Sequence, residues 1–144
     1  MSTTPTFSTQ LIGQTEKTLN AILDRLLAGT GLTEPQWVTL TVAVMSGGSI
    51  DREAFVSRIA SSLRISDRDA RARIDELAAA QLFESDDSTV AVTDAGKELH
   101  ARIRGAVVEI TDRMWGDLPP EDLAAAGRVL TTVLERANAE LERV

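Results

Sequence analysis

The sequence predicts a mainly α-helical fold with one small β-hairpin, and three observations support this prediction. Apolar residues recur at helical spacing through most of the 144 residues. The spacing changes to alternation only between Phe83 and Val92, around a turn-rich segment. Directly before this hairpin, two predicted helices are separated by only a few residues around Ile65. Two helices that are joined by a short turn and followed by a hairpin form a winged helix-turn-helix.

The first two helices have recognisable ends. A wide apolar face predicts a helix from Thr9 to Ala28, and the segment 29–31 with its two glycines ends it. Thr33 is the expected N-cap of the second helix, because its hydroxyl can accept a backbone N–H and Pro35 suits the first turn. This second helix runs to the glycine pair at 47–48.

The third and fourth helices form the predicted helix-turn-helix. The third helix covers Asp51 to Leu63, with its apolar side chains on one stripe. The fourth starts at Ser66, and Asp69 three residues later resembles a capping box that uses the shorter acid. The core-facing positions of the fourth helix are predicted to be Ala70, Ile74 and Leu77.

Long helices flank this winged unit, which spans about residues 33–93. A helix restarts at Thr93 and breaks at 118–120, and a last helix covers Glu121 to Glu142. The helices at about 94–142 are predicted to form a dimerisation layer. Their apolar stripes exceed what a chain of this length covers elsewhere, although an intramolecular bundle is the alternative. The stripe residues are Val107, Ile110, Met114, Leu130 and Leu134.

Composition excludes several classes of protein. The absence of cysteine excludes disulfides and cysteine-based redox sensing. The lack of a long apolar run and of a basic, apolar leader predicts a cytoplasmic protein with no membrane segment. The net charge of −7 argues against a protein that coats nucleic acid nonspecifically, but it leaves room for a local basic cluster.

The start of the fourth helix carries the candidate DNA contacts. Arg68 and Arg71 are placed to reach base edges or phosphates in a major groove. Arg64 and Ser66 lie just before them, near a phosphate, and Arg73 is a more peripheral candidate. The alternative is a solvated surface helix, because four neighbouring acids leave the segment neutral. These acids are Asp67, Asp69, Asp75 and Glu76.

Three segments in order resemble the MarR family of winged-helix transcriptional regulators. Residues 31–37 (GLTEPQW) resemble the family's entry to its second helix, and Ile65 to Leu77 with Leu82 resembles its recognition helix. Residues 92–97 (VTDAGK) resemble the segment after the wing. The resemblance implies a homodimer whose dimerisation layer combines the first helix, at about 9–28, with the helices at about 94–142. It also implies a repressor that binds double-stranded DNA and responds to a small aromatic or amphipathic ligand.

The chain departs from the family pattern at several positions. Ala72 stands where an arginine is common, Arg71 occupies a small-residue position, and Gln81 replaces a glycine. Residues 84–91 of the wing contain no basic residue, and Asp86 and its neighbour Asp87 occupy the tip. Residues 51–93 contain six arginines and nine acids, which gives this segment a net charge of −3. Because negative charge weakens DNA binding, a protein-interaction module that has lost DNA binding is the alternative function.

Other chemistry has little support. Trp37 and Phe55 are candidates to line a ligand pocket and His100 to hold a carboxylate, although Trp37 is more often a packing anchor and a lone histidine a surface group. With one histidine and no cysteine, no metal site is predicted. No phosphate loop or nucleophile with a nearby base is present, so we expect no catalytic residue, no cofactor and no enzyme activity.

Overall fold

The computed structural model describes residues 5–143, which form six helices and three short strands. In chain order these are α1 (Thr9–Leu27), α2 (Glu34–Met45), β1 (Ser49–Asp51), α3 (Arg52–Leu63), α4 (Asp67–Ala79), β2 (Phe83–Ser85), β3 (Thr89–Val92), α5 (Asp94–Trp115) and α6 (Pro120–Arg143). All six predicted helices and the hairpin are present, close to their expected ends. Strand β1 was not predicted. No helix among the described residues is long and apolar enough to cross a membrane.

The chain divides into two compact units, one ending at Val107 and the other starting at Val108. The core of the first unit lies where α2, α3 and α4 pack against each other and against the sheet. The predicted inward face of α4 is confirmed, because all three of its core-facing residues are buried. The largest fully buried side chains include Phe55, Leu27, Leu40, Ile59, Ile74 and Leu77.

The three strands form an antiparallel sheet in the order β1-β3-β2. Ile50 pairs with Val90 across β1 and β3, and Phe83 pairs with Val92 across β2 and β3. The edge strand β1 has only three residues, too few to show an alternating pattern in the sequence. It begins after two glycines with positive φ, and the carbonyl of Gly48 accepts a hydrogen bond from the Val92 N–H at 2.8 Å.

Two non-glycine residues with left-handed backbone shape the helix-turn-helix. Arg64, at φ 55°, ends α3 and turns the chain into α4 within three residues. Gln81, at φ 66°, ends α4 in a Schellman turn, in which the Leu82 N–H donates to the Leu77 carbonyl at 3.0 Å. Glycine is the residue that adopts this conformation without steric cost. The departure from the family glycine at position 81 therefore keeps the turn and adds strain.

The second unit consists of the end of α5, a turn and α6. No residue of α6 is buried, although its apolar side chains recur at helical spacing. Leu134 is 61% exposed. The five stripe residues were predicted to be buried either within the chain or across a two-fold axis. In the single chain Met114, Leu130 and Leu134 are exposed, and Val107 and Ile110 are half-buried.

Candidate nucleic-acid interface

The N-terminal turn of α4 is exposed and well capped. The Ser66 hydroxyl accepts a hydrogen bond from the Asp69 N–H at 3.0 Å, which confirms the predicted cap. Ser66 therefore has a structural role whether or not it also lies near a phosphate. Arg68 in this turn is exposed and forms no hydrogen bond or ion pair with any of residues 5–143. Arg64, exposed in the preceding turn, lies at the same end of the helix.

Arg71, one turn further along α4, is paired with an acid from the neighbouring helix. Its Nη2 lies 3.2 Å from Oε2 of Glu53, in the first turn of α3. The side chains of Arg71 and Glu53 are 44% and 71% exposed. Solvent therefore reaches both partners, and the pair adds little to stability.

Arg73 is held more firmly. Its guanidinium donates two hydrogen bonds to the Glu76 carboxylate, at 2.7 and 2.9 Å. Glu76 also accepts a bond from the Gln36 side chain of α2 at 3.0 Å. The bonds from Gln36 and then Arg73 lower the pKa of Glu76 below its usual value. This network joins α4 to α2, and it gives Arg73 a structural role in the free chain.

Arg52 also belongs to this surface, although it was not among the candidates predicted from the sequence. Its side chain, only 18% exposed, donates to Asp75 of α4 at 3.2 Å and to the hydroxyl of Ser85 on β2. Its backbone N–H also donates to the Ser88 carbonyl at 2.9 Å. Arg52 therefore links α3, α4 and the hairpin. The residues that it joins lie 23 and 33 positions away, so no local pattern reveals the contact.

The hairpin tip is a rigid acidic turn. The Asp86 carboxylate accepts hydrogen bonds from the backbone N–H groups of Ser88 and Thr89, both at 2.8 Å. The bond from Thr89, followed by those from Ser88, lowers the pKa of Asp86. The tip therefore remains negatively charged at neutral pH, where a DNA-contacting wing would carry positive charge.

The predicted ligand residues occupy two different environments. Trp37 stacks on His100, with ring centroids 5.0 Å apart and planes inclined by 17°. The expectation that His100 is a surface group is wrong, because only 5% of it is exposed and its Nε2 has no hydrogen-bond partner. Thr41 Oγ1, one helical turn from Trp37, is also buried without a partner. Phe55 is fully buried and packs edge-on against Phe83.

Burial lowers the pKa of His100, and the positive charge of Arg104 lowers it further. The imidazole is therefore neutral at pH 7, and one of its ring nitrogens is a potential donor while the other is a potential acceptor. Within residues 5–143, no group of three or more histidines and acids is arranged to hold a metal ion.

Comparison with known proteins identifies the fold. The sequence matches no protein-family model, and no curated protein matches it significantly. Solved structures do match. A MarR family regulator from Silicibacter pomeroyi DSS has a TM-score of 0.76 and 21% identity over 92% of this chain and 90% of its own. The S. aureus MepR–DNA complex has a TM-score of 0.74 and 15% identity over 92% and 99%.

A third similar structure is CouR from Rhodococcus jostii RHA1 bound to p-coumaroyl-CoA, with a TM-score of 0.72 and 16% identity over 85% of this chain and 88% of that one. The chain has the MarR winged-helix fold. In this fold α3 and α4 are the helix-turn-helix and the β2–β3 hairpin is the wing, as the sequence predicted. The candidate site in this MarR fold therefore has three parts. These are the exposed N-terminal end of α4, the middle of α4, whose arginines are paired with acids, and the acidic wing.

Proposed function

We propose that this chain is a MarR-family transcriptional regulator, a repressor, that binds double-stranded DNA through the N-terminal half of α4. The observation that supports this most strongly is Arg68, which is exposed and has no partner within residues 5–143 at the start of a recognition-like helix. Arg68 and Arg71 contact base edges or phosphates, and Arg64 and Ser66 lie beside the phosphate backbone. Arg73 contributes mainly by fixing the position of α4.

The direct test is binding to a labelled duplex from the region upstream of the chain's own coding sequence. Loss of one arginine contact costs about 1–3 kcal/mol, so Arg68→Ala weakens binding by about 5- to 150-fold. Loss of a phosphate contact also reduces, by about one, the slope of the logarithm of the binding constant against the logarithm of the salt concentration. Arg25→Ala, an exposed arginine at the end of α1, is the matched control. Unchanged binding by the Arg68→Ala/Arg71→Ala double variant would exclude α4 from the interface.

We also propose that the active form is a homodimer held by the terminal helices. Helix α6 has 24 residues, an apolar stripe and no buried residue, and such a surface is unusual for a monomer. Leu130 and Leu134 lie one turn apart on this stripe and are both exposed. A two-fold partner would cover them, and it would present two copies of α4 to adjacent major grooves.

Leu134→Glu tests the dimer, because it places a charge in the centre of the apolar stripe. Light scattering after size exclusion should show a dimer for the wild type and a monomer for this variant. Met45→Glu is the control, since Met45 is equally exposed but lies at the end of α2. A wild-type chain that is monomeric at micromolar concentration contradicts the dimer.

The third part of the proposal is a small aromatic or amphipathic effector. Its support is two buried polar atoms without a partner among the described residues, Nε2 of His100, whose ring stacks on Trp37, and Oγ1 of Thr41, one helical turn after Trp37. An acid with an aromatic ring would satisfy such atoms with its carboxylate and stack its ring on Trp37. Benzoate should raise the melting temperature of the wild type and weaken its DNA binding, and His100→Ala should lose both effects. Equal responses by the two proteins would remove His100 from the site.

The competing function is a winged-helix protein-interaction module. Its support is the acidic wing and the pairing of Arg71, Arg73 and Arg52 with acids. The DNA-binding test separates the two functions. No binding to the upstream duplex at any salt concentration, by a protein that is folded and dimeric, favours the interaction module.

A further inference from the structure

The two arginines assigned to DNA contact differ in what holds them in the free chain. Arg68 has no partner within residues 5–143, whereas Arg71 is paired with Glu53 across the helix-turn-helix. Glu53 belongs to α3, so the pair is not a local contact along one helix. A guanidinium that is bonded to a carboxylate has to leave it, at least in part, to bond a phosphate in the same position.

The Arg71–Glu53 pair has the properties of an exchangeable contact. One nitrogen of Arg71 reaches one oxygen of Glu53, at 3.2 Å, and both side chains are substantially exposed. No third residue is bonded to either group within the described part of the chain. An exposed pair of this kind contributes little to stability, so a DNA phosphate can displace the carboxylate at low cost.

The neighbouring Arg73–Glu76 pair is of a different kind. It has two short hydrogen bonds, and Glu76 is additionally bonded by Gln36. Gln36 also completes the capping box of α2 by accepting the Thr33 N–H at 3.0 Å. Displacement of Glu76 would therefore disturb the start of a second helix. Of the two acid partners, Glu53 is the one that can exchange with DNA.

We infer that Glu53 is an intramolecular competitor for Arg71, and that DNA has to displace it. This inference rests on the proposed DNA binding by α4. Binding then exchanges one ion pair for another at Arg71, so this arginine adds less affinity than Arg68 does.

The test is a double-mutant cycle on Glu53 and Arg71, with the labelled upstream duplex and a scrambled duplex of the same composition as probes. Glu53→Gln should bind up to about five-fold more tightly than the wild type, because an exposed pair contributes up to about 1 kcal/mol. In the Arg71→Ala background, the same change should have little effect. Glu98→Gln, an exposed acid on α5, controls for the change in net charge. Circular dichroism should show the same helical content in all variants.

The outcomes separate this inference from the proposed function. If Arg68→Ala weakens binding as expected but Glu53→Gln binds no more tightly than Glu98→Gln, the competition is refuted while DNA binding by α4 stands. If Glu53→Gln tightens binding equally in the Arg71→Ala background, simple repulsion explains the effect and the competition is again refuted. If neither the wild type nor Glu53→Gln binds either duplex at low salt, both ideas fail.

Discussion

Gly96 gives the sharpest test of how the winged unit is joined to α5. It lies in the first turn of this helix and is buried. A Cβ built on Gly96 would collide with the backbone carbonyl oxygen of Leu82 and would approach Cγ1 of Val92 to 2.8 Å. The same Leu82 carbonyl accepts the Thr93 N–H at 3.0 Å. The glycine of the VTDAGK segment is therefore required by close packing, because its φ is not in the left-handed region.

The expected change in the free energy of unfolding of Gly96→Ala follows from two opposing effects. Replacing a helical glycine by alanine stabilises by up to about 1 kcal/mol. Overpacking costs about 1–3 kcal/mol, and the upper half applies here because the obstacle is backbone. Gly96→Ala should therefore destabilise the chain by about 1–2 kcal/mol. Gly105→Ala, further along the same helix, meets nothing within 4 Å and should stabilise by about 0.5–1 kcal/mol.

Thermal unfolding followed by circular dichroism compares the two variants. The two variants should differ in stability by about 1.5–3 kcal/mol, which corresponds to about 3–12 °C in melting temperature for a chain of this size. Gly96→Ala should melt below the wild type and Gly105→Ala above it. Equal melting temperatures for the two variants, or a Gly96→Ala variant more stable than wild type, would refute the claim that the Leu82 carbonyl excludes a side chain.

Three further predictions concern the winged unit. The pKa of His100 is lowered by burial and by Arg104, so its neutral form contributes most to stability above the unfolded-state pKa of about 6.5, and this contribution is lost as the pH falls. Denaturant titrations between pH 5 and 7, above the range where carboxylates titrate, should show this loss for the wild type. His100→Gln should remove this pH dependence. Arg52→Ala should speed amide hydrogen exchange in β2 and β3 and lower the free energy of unfolding by about 1 kcal/mol. Asp75→Asn, which removes the exposed partner, should lower it by less. Exchange rates in Arg52→Ala equal to those of the wild type would contradict the link between Arg52 and the hairpin. Gln81→Gly should stabilise by up to about 1 kcal/mol, since it relieves a left-handed residue, and a destabilised variant would contradict the strain.

The helices could be predicted from the sequence because their determinants are local. Thr33 and Ser66 cap helices through hydroxyl contacts to backbone groups three residues away, and this spacing is visible in the sequence. Strand β1 is defined by its pairing with β3, about 40 residues later, and three residues carry no periodic signal of their own. The burial of His100 has the same cause, since it depends on a contact with Trp37 of a distant helix.

The candidate site was only partly predictable for a related reason. Sequence identifies which arginines lie on the outer side of α4, but the charge that each one presents depends on its partner. Arg71 and Arg73 are only two positions apart, yet Arg71 is paired with α3 and Arg73 with Glu76 and, through it, α2. The neutral total charge of the segment therefore conceals an uneven distribution. Of the three arginines of α4, Arg68, near the N-terminus of the helix, is the one whose side chain has no partner among residues 5–143.

This uneven distribution determines which part of the molecule can hold DNA. Asp86 keeps the wing tip negative through hydrogen bonds within the turn, so bringing the wing close to phosphate costs energy at neutral pH. The N-terminal end of α4 presents Arg68 together with the positive end of the helix dipole. With few available cations per subunit, little affinity comes from counterion release alone. For the proposed regulator, tight binding then requires base contacts from two recognition helices at once, so the proposed dimer is a condition for the proposed DNA binding.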